Sequence, residues 1–84
     1  MASKDELAKL IITIIGETAA TKGLEIPDLG LASPVDRELG LDSLDWAAVV
    51  VRMEIETGID PFAAGTPYQL KTVADLVDFY AAAG

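Results

Sequence analysis

Large apolar side chains near the start of the chain recur at helical spacing. They follow an i, i+3, i+4, i+7, i+8 pattern at Leu7, Leu10, Ile11, Ile14 and Ile15. This pattern places them on one face of an amphipathic helix over about residues 4–21. Ser3 is suited to cap this helix, with Glu6 three residues later as its capping-box partner, and Gly23 follows the predicted end.

Two further segments show the same period. One runs over about residues 43–57, with Asp42 as its N-cap and Asp45 at the third helical position. The other runs over about residues 73–83 and follows Thr72, which has capping-box spacing to the acid three residues later. Its apolar stripe consists of Val73, Leu76, Val77 and Tyr80. The sequence therefore predicts three long helices.

The segments between these helices are interrupted by proline and glycine. Residues 24–41 contain two of each, so we expect a long loop there and no regular element. Its apolar residues are expected to pin the loop onto the core: Leu24, Ile26, Leu29, Leu31 and Val35. In the second connector, Pro61 suits the first position of a single helical turn at residues 61–64.

Amphipathic helices must bury their apolar stripes against one another. The predicted fold is therefore all-α, a small four-helix bundle with three long helices and one short third helix. The length suits one domain spanning residues 1–84. The residues expected to be largely buried between the long helices are Leu10, Ile14, Val50, Met53, Val73 and Val77.

The second helix has more apolar surface than one neighbouring helix can cover. At about 100° per residue, one stripe consists of Trp46, Val49, Val50 and Met53. A second stripe on roughly the opposite side consists of Leu44, Ala48, Val51 and Ile55. Two stripes mean either burial from both sides or an exposed patch for a partner. The periodicity alone leaves both alternatives open.

Composition excludes several classes of function. The chain has no cysteine and no histidine, so thiolate catalysis, cysteine-based zinc sites and serine–histidine arrangements cannot be built from it. No metal site is expected. Its net charge of −8, from 14 acidic and 6 basic residues, repels nucleic acids and anionic membranes and favours partners with basic surfaces. No apolar run approaches the roughly 20 residues that span a bilayer, so we expect a cytoplasmic protein.

One serine stands at the start of the second helix. Ser43 lies in the sequence LGLDSLD, residues 39–45, where free backbone N–H groups and the helix dipole favour a nearby phosphate. Serine is also well suited simply to begin a helix. Position alone therefore favours the structural role of this serine over a phosphate-linked one.

Two stretches of the sequence favour the phosphate-linked role of Ser43. LGLDSL, residues 39–44, resembles the phosphopantetheine attachment motif of the acyl carrier proteins, with its serine at Ser43. LKTVADLVDFY, residues 70–80, resembles the closing helix of the same family, and the resemblance covers nearly the whole chain. It implies that a phosphopantetheinyl transferase moves the 4'-phosphopantetheine arm of coenzyme A onto the Ser43 hydroxyl. The arm's thiol then carries an acyl group as a thioester, so no catalytic residue is expected in the chain itself.

The second helix departs from the family pattern. Ala48 and Ile55 replace acids that the family often has, Arg52 adds a positive charge, and Trp46 stands where a small polar residue is common. The resemblance thus implies a specialised carrier with an apolar docking groove on its partner. The residues expected to bind a partner are Asp42, Leu44, Asp45, Val51, Ile55 and Glu56.

The function expected from these observations is a discrete, monomeric acyl carrier in fatty-acid, polyketide or related specialised biosynthesis. Its partners would be the phosphopantetheinyl transferase and an acyl or aminoacyl ligase, synthase or transferase. One alternative is an aminoacyl or peptidyl carrier loaded by a stand-alone adenylating ligase, although LGLDSLD is closer to acyl carriers than to peptide-synthetase carriers. An alternative of a different class is an acidic helical interaction domain that is never modified.

Overall fold

Three α-helices form where the apolar periodicity predicts them. The computed structural model describes residues 3–26, 28–35, 40–59 and 70–83. Its helices are α1 (Lys4–Thr21), α2 (Ser43–Thr57) and α3 (Val73–Ala83), which confirms the predicted bounds. Within the described residues there is no strand, only an isolated β-bridge between Pro34 and Thr72. The short helix predicted at residues 61–64 lies outside the described residues, so three helices of the predicted four are observed.

α1 begins and ends with local hydrogen bonds that its sequence encodes. The Ser3 side chain accepts a hydrogen bond from the Glu6 backbone N–H at 3.2 Å, as an N-cap does. At the other end, the Leu24 N–H donates to the carbonyl of Ala19 at 3.0 Å. This bond closes a Schellman motif around Gly23, whose φ of 76° is a left-handed conformation that glycine adopts without steric cost.

α2 and α3 both begin with reciprocal capping boxes. In α2 the Asp42 side chain accepts from the Asp45 N–H, and the Asp45 side chain accepts from the Asp42 N–H, each at 3.0 Å. In α3 the Thr72 hydroxyl accepts from the Asp75 N–H at 3.3 Å, and the Asp75 carboxylate accepts from the Thr72 N–H at 3.0 Å. Each box satisfies two donors that a helix start leaves without partners.

α1 contacts both other helices, and the core lies along these contacts. Its fully or nearly fully buried residues are Leu7, Ile11, Ile14, Ile15, Ala19, Leu41, Val49, Met53, Val73, Leu76, Val77 and Tyr80. The whole predicted stripe of α3 is among them. The predicted burial is thus confirmed for four of the six residues chosen, Ile14, Met53, Val73 and Val77.

The predicted burial of Leu10 and Val50 is wrong, because both are only partly buried. The buried face of α1 is rotated towards Ile15 and Ala19, which leaves Leu10 at its border. On α2 the buried positions are Val49 and Met53, and Val50 lies about 100° around the helix from Val49. Relative to the periodicity, tertiary packing therefore shifts the buried face of α1 and narrows that of α2.

The loop before α2 is attached to α3 by its backbone as well as by its side chains. Leu24, Ile26, Leu29 and Val35 pack against the core as predicted, whereas Leu31 is exposed, so its predicted burial is wrong. The Leu31 carbonyl instead accepts from the Ala74 N–H, and the Ser33 carbonyl accepts from the Val73 N–H, both at 2.9 Å. These bonds satisfy donors in the first turn of α3, so backbone pairing fixes this segment without burying the Leu31 side chain.

Candidate functional site

Ser43 is the first residue of α2 and its side chain is exposed. The capping box positions it, because Asp42 stands directly before it and bonds the N–H two residues after it. Leu41, two residues before the serine, is buried in the core and holds this end of the helix against the bundle. The result is an accessible hydroxyl at the positive end of a helix dipole.

The start of α2 is tied to the end of α1 by one lysine. Lys22 Nζ lies 2.7 Å from Asp45 Oδ2 and 3.9 Å from Asp42 Oδ2, and it donates to the Gly40 carbonyl at 3.4 Å. The hydrogen bond to Asp45 raises the pKa of Lys22 and, together with the Asp42 backbone N–H, lowers the pKa of Asp45. The sequence reasoning missed this contact, because 23 positions separate the two residues and neither helical period connects them.

The acids of α2 are not equivalent. Asp42 and Glu56 are exposed, whereas the Asp45 side chain is 18% exposed and its carboxylate already serves the capping box and Lys22. Arg52 donates to the Glu17 side chain on α1 at 3.1 Å. Its charge is therefore turned towards α1 and largely compensated there. Among the acids of this helix and its cap, Asp42 is exposed although it also serves the capping box, and Glu54 and Glu56 are exposed near the other end.

The two apolar stripes of α2 have different environments. Leu44, Val51 and Ile55 are 79%, 54% and 73% exposed, and Ala48 is also exposed. These four residues form one solvent-facing surface, the α2 patch. Of the two alternatives that the periodicity left open, the structure therefore has the exposed one. An exposed apolar surface beside charged residues is typical of a protein interaction site.

The side of α2 between the two stripes, with Trp46 and Val50 of the first stripe, lines an apolar cleft of about 460 Å³. From α2 the cleft is lined by Ser43, Trp46, Ala47, Val50 and Val51, at i, i+3, i+4, i+7 and i+8 spacing, so Val51 borders both the cleft and the α2 patch. Its other lining residues are Val35, Leu70 and Leu76. The Trp46 Nε1–H is buried and has no acceptor among the described residues. The sequence reasoning did not find this cleft, because its walls come from three separate segments.

Other kinds of site find no support in the part of the chain that the structure describes. There, no group of three or more acidic, histidine or cysteine side chains is placed to hold a metal ion. Nor does any described helix have the length and apolar character needed to cross a membrane. At the start of α2, by contrast, the exposed Ser43 hydroxyl lies next to acidic side chains and to the apolar cleft.

The residues at this place fit a phosphate-linked group, because an exposed hydroxyl begins a helix and an apolar cleft opens beside it. Comparison with known proteins gives the same result. A family model described as the phosphopantetheine attachment site matches residues 9–80. Neither the curated proteins nor the solved structures yield a match. Since the family match spans most of the chain, this protein belongs to the phosphopantetheine attachment site family, the carrier domains that bear a covalent 4'-phosphopantetheine and serve separate biosynthetic enzymes.

Proposed function

We propose that this protein is an acyl carrier for fatty-acid, polyketide or related specialised biosynthesis, acting as one carrier domain and as a monomer. Ser43 bears the 4'-phosphopantetheine arm, and the arm supplies a thiol that holds an acyl group as a thioester. The observation that carries the proposal is the apolar cleft that begins at Ser43 itself. Family membership accounts for the arm, and the cleft supports an acyl group as the cargo.

The chain contributes the hydroxyl and its surroundings, and the transferase contributes the base. No histidine is present in the sequence. Lys22 is the lysine held at the start of α2, and its hydrogen bond to Asp45 raises its pKa. A lysine held protonated cannot accept the serine proton at neutral pH. This supports a carrier that is modified and loaded by other proteins rather than an enzyme acting alone.

The lining of the cleft favours an acyl cargo over an aminoacyl one. Apart from Ser43 its described lining residues are apolar, and the carboxylates of Asp42 and Asp45 are paired with Lys22. Burying an ammonium group among apolar side chains without a partner is strongly unfavourable, whereas an alkyl chain gains about 25 cal/mol for each Å² removed from water. An aminoacyl or peptidyl group remains the second candidate, since it could stay outside the cleft.

Trp46 offers a direct test of the cargo, because it is the only tryptophan of the chain and lines the cleft. Loading the arm with an octanoyl group should shift the emission of Trp46 to shorter wavelength relative to the unloaded, arm-bearing protein, since the alkyl chain displaces water from the indole. Fluorescence of the two forms, each verified by intact mass, measures this. A glycyl thioester is the matched control. An equal shift for glycyl and octanoyl groups would contradict an acyl cargo held in the cleft.

The α2 patch is proposed as the partner-binding surface. Leu44, Val51 and Ile55 would enter an apolar groove on a ligase, synthase or transferase, as helix-in-groove recognition requires. Asp42 and Glu56 would speed the encounter with a basic partner surface, and Asp45 would contribute mainly by holding the helix start. The phosphopantetheinyl transferase is expected to approach the same end of α2, where Ser43 lies.

Ile55→Glu should weaken loading by the cognate enzyme while leaving the fold intact. Ile55 is 73% exposed, so a carboxylate there stays in water in the free protein but must be desolvated in an apolar groove. We expect a loss of about tenfold or more in the kcat/KM of loading, with attachment of the arm by a broad-specificity transferase much less affected. Steady-state loading assays and thermal melts measure the two effects.

Leu31→Glu is the matched control, because Leu31 is also an exposed apolar residue but lies outside α2. It adds the same charge and should load normally. Equal loss in both variants would mean that net charge, and not the α2 patch, governs loading. If wild-type protein takes up no arm at all from coenzyme A and an active transferase, the unmodified interaction domain is the correct alternative.

A further inference from the structure

One cation contacts the chain on both sides of Ser43. Lys22 Nζ reaches Gly40 and Asp42 before the serine and Asp45 after it, with its shortest contact, 2.7 Å, to Asp45. No other ion pair among the described residues joins the start of α2 to another helix, since Arg52 contacts α1 from the middle of α2. The contacts of Lys22 therefore lie on both sides of the two residues Ser43 and Leu44.

The backbone of Lys22 is itself fixed at the end of α1. It is the C-cap of α1, and its backbone N–H donates to the Ala19 and Ala20 carbonyls. Ala19 is buried in the core, and the turn at Gly23 fixes the exit of the chain. The Lys22 side chain thus transmits the position of α1 to the first turn of α2, to which no helical hydrogen bond connects it.

The contact of Lys22 with Asp42 and Asp45 also reduces the repulsion between negative charges near Ser43. Asp42 and Asp45 place two carboxylates around the serine, and a phosphodiester on Ser43 adds a third negative charge. Charges of one sign repel one another, and more strongly the closer they lie. A cation at 2.7 and 3.9 Å from the two carboxylates offsets part of that repulsion. The raised pKa of Lys22 and the lowered pKa of Asp45 show that the pair stays charged at neutral pH.

We propose that Lys22 is a positioning residue for the modification of Ser43: acting through Asp45 and Asp42, it fixes the helix start that presents the hydroxyl and offsets the carboxylates that flank the incoming phosphate. This inference rests on the proposal that Ser43 bears the arm. It concerns a residue at the end of α1, outside the attachment motif, which spans residues 39–44.

If Lys22 has this role, its replacement should lower kcat for arm attachment without raising KM. Replacing Lys22 by methionine makes the net charge of −8 one unit more negative, which favours encounter with a basic transferase and should not raise KM. Looser positioning and stronger repulsion of the phosphate act on the reacting complex and lower kcat. We expect kcat for arm attachment to fall roughly threefold to tenfold, less than the ~100-fold loss that a gross misplacement causes.

The experiment compares Lys22→Met, Lys22→Arg and Lys9→Met with the wild type. Initial rates of arm attachment, read by intact mass with coenzyme A and a broad-specificity transferase, give kcat and KM. Lys22→Arg retains the cation and should recover most of kcat. Lys9→Met removes the same charge from an exposed position of α1 and should behave as wild type. A kcat of Lys22→Met equal to that of the wild type or to that of Lys9→Met would overturn the proposal.

A second measurement does not depend on the arm. In the unmodified protein, the Asp45 and Trp46 N–H groups donate to Asp42 at 3.0 and 3.1 Å. Their amide hydrogen exchange should be faster in Lys22→Met and unchanged in Lys9→Met, because local opening of this turn becomes easier. Unchanged exchange in Lys22→Met would overturn the positioning role. Failure of the wild type to accept the arm would instead refute the proposed function, and the exchange experiment would still decide the role of Lys22.

Discussion

Ser43→Ala should abolish attachment of 4'-phosphopantetheine, which is the largest functional effect expected from any single substitution in this chain. The variant lacks the one hydroxyl that is exposed at the start of α2, and no other group there can form the phosphoester. Alanine is a strong helix former, and Asp42 and Asp45 keep the capping box, so the fold should persist. Intact mass after incubation with coenzyme A and a transferase measures attachment, and circular dichroism measures the helix content.

The other two serines of the chain provide matched controls. Ser3 caps α1 and Ser33 accepts a hydrogen bond from the Gly30 N–H, so both hydroxyls have structural partners at other places in the fold. Ser3→Ala and Ser33→Ala should each still gain one arm. Uptake of the arm by the Ser43→Ala variant would refute Ser43 as the attachment residue, whatever the behaviour of the controls.

Ile14→Ala should cause a large loss of stability. Ile14 lies in the centre of the buried face of α1 and is 0% exposed, so truncation removes apolar contacts and leaves a cavity. Such substitutions cost about 2–5 kcal/mol, out of the roughly 5–15 kcal/mol that stabilises a typical domain. For a chain of this size we expect the melting temperature to fall by about 10 °C or more. Thermal and urea denaturation measure the change in the free energy of unfolding.

Ile55→Ala is the matched control, since it removes the same atoms from a side chain that is 73% exposed. Its effect should stay within about 0.5 kcal/mol of the wild type, as for most surface substitutions. Similar losses in the two variants would mean that the face of α1 or α2 facing the core has been misassigned. The pair therefore tests the core and the accessibility of the α2 patch in one comparison.

The sequence by itself determined the features that depend on neighbouring residues. The three helix bounds follow from apolar side chains three and four positions apart, and the helix starts follow from side chains that bond the backbone three residues away. Ser3, the pair of Asp42 and Asp45, and the pair of Thr72 and Asp75 all act over this range. The motif around Ser43 is likewise continuous in sequence, so the sequence alone predicts the attachment residue.

Only the tertiary structure decided which surfaces of those helices meet. It buried Val49 and left Val50 at the cleft, exposed the stripe that contains Ile55, and brought Lys22 against Asp45. Apolar periodicity identifies faces of a helix but not the neighbour that covers each one. That choice depends on how α1 and α3 pack together across loops whose path is set by distant contacts, such as those of Leu31 and Ser33 with the first turn of α3. The cleft and the lysine contact arise from this packing, because each joins segments that are far apart in the chain.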